Sequence, residues 1–170
     1  MRLFIAIGLT EEMKDSIEAV QDELKAQRVR GNYTVRENMH LTLAFIGEYS
    51  NPDYVLEVME NVHFQPFKLT LNRVGMFPEV WWAGTEDSKE LTAMVKSLRH
   101  ELAEAGIPFD KKKFTPHITM LRKPVCSGRN EVRTTIKTTQ MTVDHFSLML
   151  STRGKNGMIY TELGRVEGTG

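Results

Sequence analysis

The sequence predicts an α+β fold of two lobes, with two antiparallel sheets, helices on the outside and a central cleft. Two observations carry this prediction. The tripeptide His-x-Thr occurs twice, at His40 and at His117, each time inside an apolar run typical of a β-strand. A helical apolar stripe precedes each run, and a pair of strands follows it. We therefore expect one domain, residues 1–170, built as an internal duplication.

The first half is predicted to alternate strands with two helices. Thr10 is suited to cap the first helix, and Asn51 followed by Pro52 is suited to begin the second. The buried stripe of the first helix recurs at helical spacing and consists of Met13, Ile17, Val20 and Leu24. In order, the predicted elements are a strand at 2–8, a helix that closes at Gly31-Asn32, a strand at 39–47, a short helix from 51, and strands at 67–74 and 80–84.

The second half repeats this order. Its helix is expected to begin at Glu86 and Asp87 and to stop at Gly106. In order, the remaining elements are a second motif strand at 114–121, an irregular basic loop at 124–133, a strand at 141–150, a hairpin turn at 154–157 and a strand at 158–163.

Strand alternation places the functional groups of each motif on one face. His40 and Thr42 share a face, as do His117 and Thr119, because successive side chains point to opposite sides of a strand. In a regular strand Arg122 would point to the apolar face, together with Ile118 and Met120, so it reaches the cleft only where its strand ends or twists. The opposite, apolar faces carry Leu41, Leu43 and Phe45 in one strand and Ile118 and Met120 in the other.

A cleft lined by both motifs would contain two imidazoles and two hydroxyls, with no carboxylate from either motif. An imidazole changes charge near neutral pH, so one can serve as general acid and the other as general base. The hydroxyls can donate to oxygens on which negative charge builds. This set of groups suits the cleavage of a phosphate ester.

At these residues the sequence resembles the 2H phosphoesterases. The resemblance rests on residues 40–47 and 116–122, and the chain ends at 2–7 and 160–163 resemble one branch, the RNA 2′,3′-cyclic phosphodiesterases, also called 2′-5′ RNA ligases. The resemblance implies hydrolysis of a 2′,3′-cyclic phosphate to a 2′-phosphate without a metal or other cofactor. It also implies His40 as proton donor and His117 as proton acceptor, with Thr42, Thr119 and Arg122 binding the phosphate.

The residues by themselves leave other functions open. A metal hydrolase would need ligand spacings that the sequence does not show. A noncatalytic protein that binds RNA ends would not need both imidazoles. A phosphodiesterase of small cyclic nucleotides, and an enzyme that joins a cyclic end to a 5′-hydroxyl, would use the same residues as RNA hydrolysis. The sequence alone does not assign acid and base between the two histidines.

Composition bounds the partners and the location. The chain is 41% hydrophobic and carries 22 basic and 22 acidic residues, which argues against a protein that binds duplexes through a broad basic face. Residues 111–137 nevertheless contain eight basic residues and one acidic residue, a stretch that either meets RNA phosphates or is simply solvated. With one cysteine, no apolar run of about 20 residues and no signal-peptide pattern, we expect a cytoplasmic monomer that does not contact membranes.

Overall fold

The structure, a computed structural model, describes residues 1–126 and 131–170. Within these residues it contains nine strands and three α-helices. The strands are β1 (Arg2–Gly8), β2 (Val29–Tyr33), β3 (His40–Glu48), β4 (Phe67–Met76), β5 (Val80–Thr85), β6 (His117–Cys126), β7 (Thr139–Val143), β8 (His145–Gly154) and β9 (Gly157–Glu167). The helices are α1 (Glu11–Ala26), α2 (Pro52–Met59) and α3 (Lys89–Glu104).

The strands form two antiparallel sheets, which confirms the predicted fold class. One sheet has the order β3-β1-β8-β9, and the other has the order β2-β6-β5-β4-β7. The first motif strand, β3, is at an edge of its sheet, whereas the second, β6, lies between β2 and β5. Residues of β3 and β6 approach each other between the sheets. The fold therefore brings the two motifs to one place.

The helices bury the apolar stripes that the sequence predicts. The hydroxyl of Thr10 accepts a hydrogen bond from the Met13 amide at 3.3 Å, and the four stripe residues of α1 are fully buried. The stripe that helical spacing predicts for α3 is buried at Leu91, Met94, Val95, Leu98 and Leu102. Its last predicted member, Ala105, follows the end of the helix and is only partly buried. Gly106 has a φ of +71°, so it ends this helix as expected. In the described part of the chain, no helix is long and apolar enough to cross a membrane.

The predicted start of α3 is wrong by three residues. The helix begins at Lys89 because the Ser88 hydroxyl accepts a hydrogen bond from the Leu91 amide at 3.1 Å. Glu86 and Asp87, which were expected to open the helix, precede this cap. A serine followed by an apolar stripe was a better start signal than two acidic residues.

The strand β2 was not predicted. The sequence was expected to close the first helix at Gly31-Asn32, but α1 ends at Ala26 and the chain then pairs with β6. The sequence of β2, VRGNY, has no apolar alternation that would mark a strand, and only Val29 of this segment is buried. Pairing with β6, rather than local pattern, makes this segment extended.

The predicted strand at 141–150 is two strands in different sheets. β7 pairs with β4 and β8 pairs with β1, and Asp144 separates them. Apolar residues continue across this break, so the sequence does not reveal it. The buried apolar positions nevertheless change from odd-numbered to even-numbered residues between Val143 and Phe146.

The second motif strand begins and ends later than predicted. β6 starts at His117 instead of residue 114 and continues to Cys126, so residues 124–126 belong to a strand and not to an irregular loop. The central part of the predicted basic loop, 127–130, lies outside the described residues. The predicted hairpin is present, because Gly154 pairs with Gly157 at the turn between β8 and β9.

Candidate active site

The two His-x-Thr motifs line one cleft with a volume of about 570 Å³. His40 and Thr42 come from β3, and His117 and Thr119 come from β6. Arg122 lines the same cleft. The structure therefore brings together all five side chains that the sequence selected.

Both imidazoles are held in the same tautomer. The Nδ1 atom of His40 lies 2.7 Å from the carbonyl oxygen of Asn38, and Nδ1 of His117 lies 2.7 Å from the carbonyl oxygen of Thr115. A carbonyl can only accept, so Nδ1 donates in both rings and Nε2 is left for proton transfer. The Nε2 atom of His40 lies 2.8 Å from the Thr42 hydroxyl, which donates to it when the ring is neutral.

The two histidines differ in their surroundings. His117 is exposed, whereas His40 is half-buried against the rings of Phe4 and Tyr160, with centroid separations of 4.9 and 5.3 Å. Burial lowers the pKa of His40, and the positive charge of Arg122 lowers it further, while the Asn38 carbonyl opposes both effects. In the free protein His40 is therefore held towards its neutral form.

This shift predicts a pH dependence of stability. The unfolded chain protonates His40 near pH 6.5, but the folded protein resists until a lower pH, so the free energy of unfolding should fall as the pH drops through this interval. Urea unfolding of wild type and His40→Gln at pH 7.5 and 5.5 measures it. We expect wild type to lose more stability than the variant between these values. An equal loss in both proteins would contradict the burial of a neutral His40.

A β-bulge follows the threonine of each motif. In the β1–β3 pair, Ala6 pairs with Thr42 and Ile5 pairs with Ala44, which leaves Leu43 as the extra residue. In the β5–β6 pair, Trp82 pairs with Thr119 and Trp81 pairs with Leu121, which leaves Met120 as the extra residue. The same irregularity thus occurs at equivalent positions in both halves of the chain.

These bulges explain how Arg122 reaches the cleft, and they correct the expectation for Phe45. An extra residue reverses the alternation of the strand beyond it. Met120 and Leu121 are consequently both buried, and Arg122 is exposed and lines the cleft, although its parity in a regular strand points to the core. Phe45 was expected in the apolar face, but it is 36% exposed and lines the cleft as the equivalent of Arg122.

The adjacent tryptophans of β5 have different environments. Trp81 is buried in the core, whereas Trp82 lines the cleft with its ring centroid 6.3 Å from that of His117. The indole of Trp82 lies over Gly75 of the neighbouring strand, where a Cβ atom would overlap with it. Phe77 extends this aromatic surface, at 5.5 Å from Trp82. Trp81 is therefore a core aromatic, and Trp82 forms an aromatic wall of the cleft.

Part of the basic stretch reaches the cleft. Lys112 and Lys113 line it, and Arg129 lies outside the described residues. Sequence reasoning missed Arg99 of α3 and assigned no role to Tyr160, although both contribute to the cleft wall. Neither carried a local signal, because Arg99 lies 18 residues before the second motif and Tyr160 belongs to no repeated motif.

Within the described residues, three potential metal-binding side chains converge at one place, which is outside the cleft. These are Asp144, His145 and Glu167. The Nδ1 atom of His145 already lies 2.6 Å from a carboxylate oxygen of Asp144. This group has no member in common with the wall of the cleft.

Two His-x-Thr strands, one from each sheet, line a shared cleft and define the class of the 2H phosphoesterases. Comparisons with known proteins agree with this class. A relative from Thermotoga maritima named RNA 2′,3′-cyclic phosphodiesterase is 32% identical over 96% of this chain and 93% of its own length. One of the same name from Archaeoglobus fulgidus is 34% identical over 72% of each chain.

Solved structures extend this similarity to the whole fold. Escherichia coli LigT complexed with 3′-AMP matches with a TM-score of 0.86 at 28% identity and covers 99% of this chain and 98% of its own. TT0787 of Thermus thermophilus matches with a TM-score of 0.81 at 29% identity, over 98% and 97% of the two chains. The family model of the 2′-5′ RNA ligase superfamily matches residues 11–155. The chain belongs to this superfamily.

Proposed function

We propose that this protein is a metal-independent RNA 2′,3′-cyclic phosphodiesterase that opens the cyclic phosphate to a 2′-phosphate. One observation carries the proposal: two imidazoles in the same tautomer and the two threonines of their motifs line a single cleft. Relatives that match most of this chain are named for the same reaction. The substrate is RNA or an oligonucleotide that ends in a 2′,3′-cyclic phosphate.

Hydrolysis needs two proton transfers on opposite sides of phosphorus. One imidazole takes a proton from the attacking water, while the other gives a proton to the 3′ oxygen as it leaves. We assign the donor role to His40 and the acceptor role to His117. The hydroxyls of Thr42 and Thr119 donate to the nonbridging oxygens, and Arg122 adds a charged donor on the same cleft wall.

The donor role of His40 depends on the substrate. The free protein favours neutral His40, because the ring is half-buried and Arg122 is near. A bound phosphodiester brings a negative charge beside the ring, which raises the pKa of an imidazole and favours its charged form. The opposite assignment, with His40 as base, is the alternative that the free protein would favour, and a substrate with a 3′-thio leaving group distinguishes the two.

The test of the proposal is a direct assay. Purified protein is given a nucleoside 2′,3′-cyclic phosphate and an oligonucleotide with the same end, and the product is followed by ³¹P NMR. We expect 2′-phosphate from both. Binding of the oligonucleotide without turnover would favour a noncatalytic protein that binds RNA ends, and turnover of the nucleotide alone would favour a phosphodiesterase of small cyclic nucleotides. Adding an RNA with a 5′-hydroxyl tests the reverse, joining reaction.

We predict that this activity survives exhaustive chelation, because the proposed mechanism moves protons through imidazoles and needs no Lewis acid. The measurement compares initial rates before and after dialysis against a chelator, and the rates should agree within about twofold. Loss of activity that Zn²⁺ or Mn²⁺ restores would instead identify a metal hydrolase.

A further inference from the structure

Two polar side chains outside the motifs occupy equivalent positions in the two halves. Gln21 of α1 precedes His40 by 19 residues, and Arg99 of α3 precedes His117 by 18 residues. Each side chain donates to two backbone carbonyls. One carbonyl belongs to the segment after its own helix, and the other belongs to the bulge of the opposite motif.

Gln21 contacts the bulge of the second motif. Its amide is 4% exposed, and Nε2 donates to the carbonyl of Thr34 at 2.9 Å and to the carbonyl of Met120 at 3.0 Å. Met120 is the extra residue of β6, and its carbonyl also accepts from the Thr34 amide at 2.9 Å. The buried amide therefore joins α1 to the residue at which the alternation of β6 reverses.

Arg99 makes the corresponding contacts with the first motif. Its guanidinium donates to the carbonyl of Lys112 at 2.7 Å and to that of Leu43 at 3.4 Å. Leu43 is the extra residue of β3. In both halves, a side chain from the helix before one motif bonds the bulge carbonyl of the other motif. This repetition indicates that the contacts are a structural feature of the cleft.

We propose that Gln21 is a positioning residue of the active site, which holds the Met120 bulge and thereby directs Arg122 into the cleft. Without the bulge, regular alternation would turn Arg122 towards the core and expose Leu121. A buried amide that bonds the carbonyl of the extra residue stabilises the bulged register, since losing a buried hydrogen bond is costly. The catalytic part of this proposal rests on the proposed function, because Arg122 contributes to turnover only if the substrate phosphate binds beside it.

The kinetic test is a double-mutant cycle. Gln21→Leu keeps a similar volume but cannot donate, so turnover of a nucleoside 2′,3′-cyclic phosphate should fall about tenfold. The same substitution in an Arg122→Ala background should cause no further loss, because Gln21 acts through Arg122. Gln27→Leu is the matched control: this exposed amide near the end of the same helix donates to the carbonyls of Glu23 and Arg133, and its loss should leave turnover unchanged.

A crystal structure of the variant tests the same claim without activity. We expect Arg122 of Gln21→Leu to lose its pairing with Val80, or to leave the cleft. If the leucine variant does not fold, Gln21→Met, which also lacks a donor, takes its place. The proposal would be overturned if the variant kept both the bulge at Met120 and the wild-type position of Arg122. It would also be overturned if Gln21→Leu lowered turnover equally in the wild-type and Arg122→Ala backgrounds. Absence of activity in wild type would overturn the proposed function instead, and the crystal structure would still decide the role of Gln21.

Discussion

Replacing His40 or His117 with alanine is expected to lower turnover of a nucleoside 2′,3′-cyclic phosphate by at least about a hundredfold, because each change removes one of two proton-transfer groups. The measurement is kcat under saturating substrate, with circular dichroism and urea unfolding to show that each variant is folded. Near-wild-type turnover in either variant would show that the two-histidine mechanism is wrong.

The other histidines provide matched controls. His63 and His100 are exposed and lie outside the cleft wall, and His145 is engaged with Asp144. Alanine at each of these positions should leave kcat within about threefold. A large loss at one of them would mean that a histidine outside the motifs takes part in the reaction.

A modified leaving group assigns acid and base. Sulfur in place of the bridging 3′ oxygen leaves without protonation, so a 3′-thio substrate no longer needs the general acid. If His40 is the donor, His40→Ala should recover most of its rate on this substrate, while His117→Ala should remain slow. Recovery of His117→Ala alone would reverse the two roles, in agreement with the pKa of His40 in the free protein.

Replacing Arg122 with alanine is expected to lower kcat/KM by about tenfold to a hundredfold on a mononucleotide and on an oligonucleotide alike. The bulge at Met120 places this side chain in the wall of the cleft, beside the two motifs, where both substrates present the same cyclic phosphate. The measurement is steady-state kinetics on both substrates. An unharmed variant would show that Arg122 faces the cleft without contacting the phosphate.

The lysines next to the second motif give the contrasting control. Substituting Lys111, Lys112 and Lys113 together with alanine should weaken the binding of the oligonucleotide and leave that of the mononucleotide unchanged. It should also reduce the salt dependence of oligonucleotide binding, because each lost phosphate contact removes a counterion-release term. Equal salt dependence for both substrates would identify this stretch as a solvated surface.

The sequence by itself determined the paired motifs and the elements that carry them. His-x-Thr within an apolar run fixes an imidazole and a hydroxyl on one strand face, and two such runs in one chain indicate two facing strands. The stripes of α1 and α3 follow from helical periodicity alone. The caps at Thr10 and Asn51 are equally local, because each depends on a side chain and an amide three residues apart.

Only the tertiary structure decided which residues beyond the motifs reach the cleft. Phe45 and Arg122 face it because a bulge reverses the alternation of each strand, and a bulge depends on the register of a neighbouring strand. Trp82 rather than Trp81 lines the cleft, with Gly75 of the paired strand below it. The strand β2 exists because β6 pairs with it, and the contacts of Gln21 join residues 99 positions apart. Interactions at such separations leave no periodic trace in the sequence, whereas helix stripes, caps and strand faces arise within a few residues and can be predicted from it.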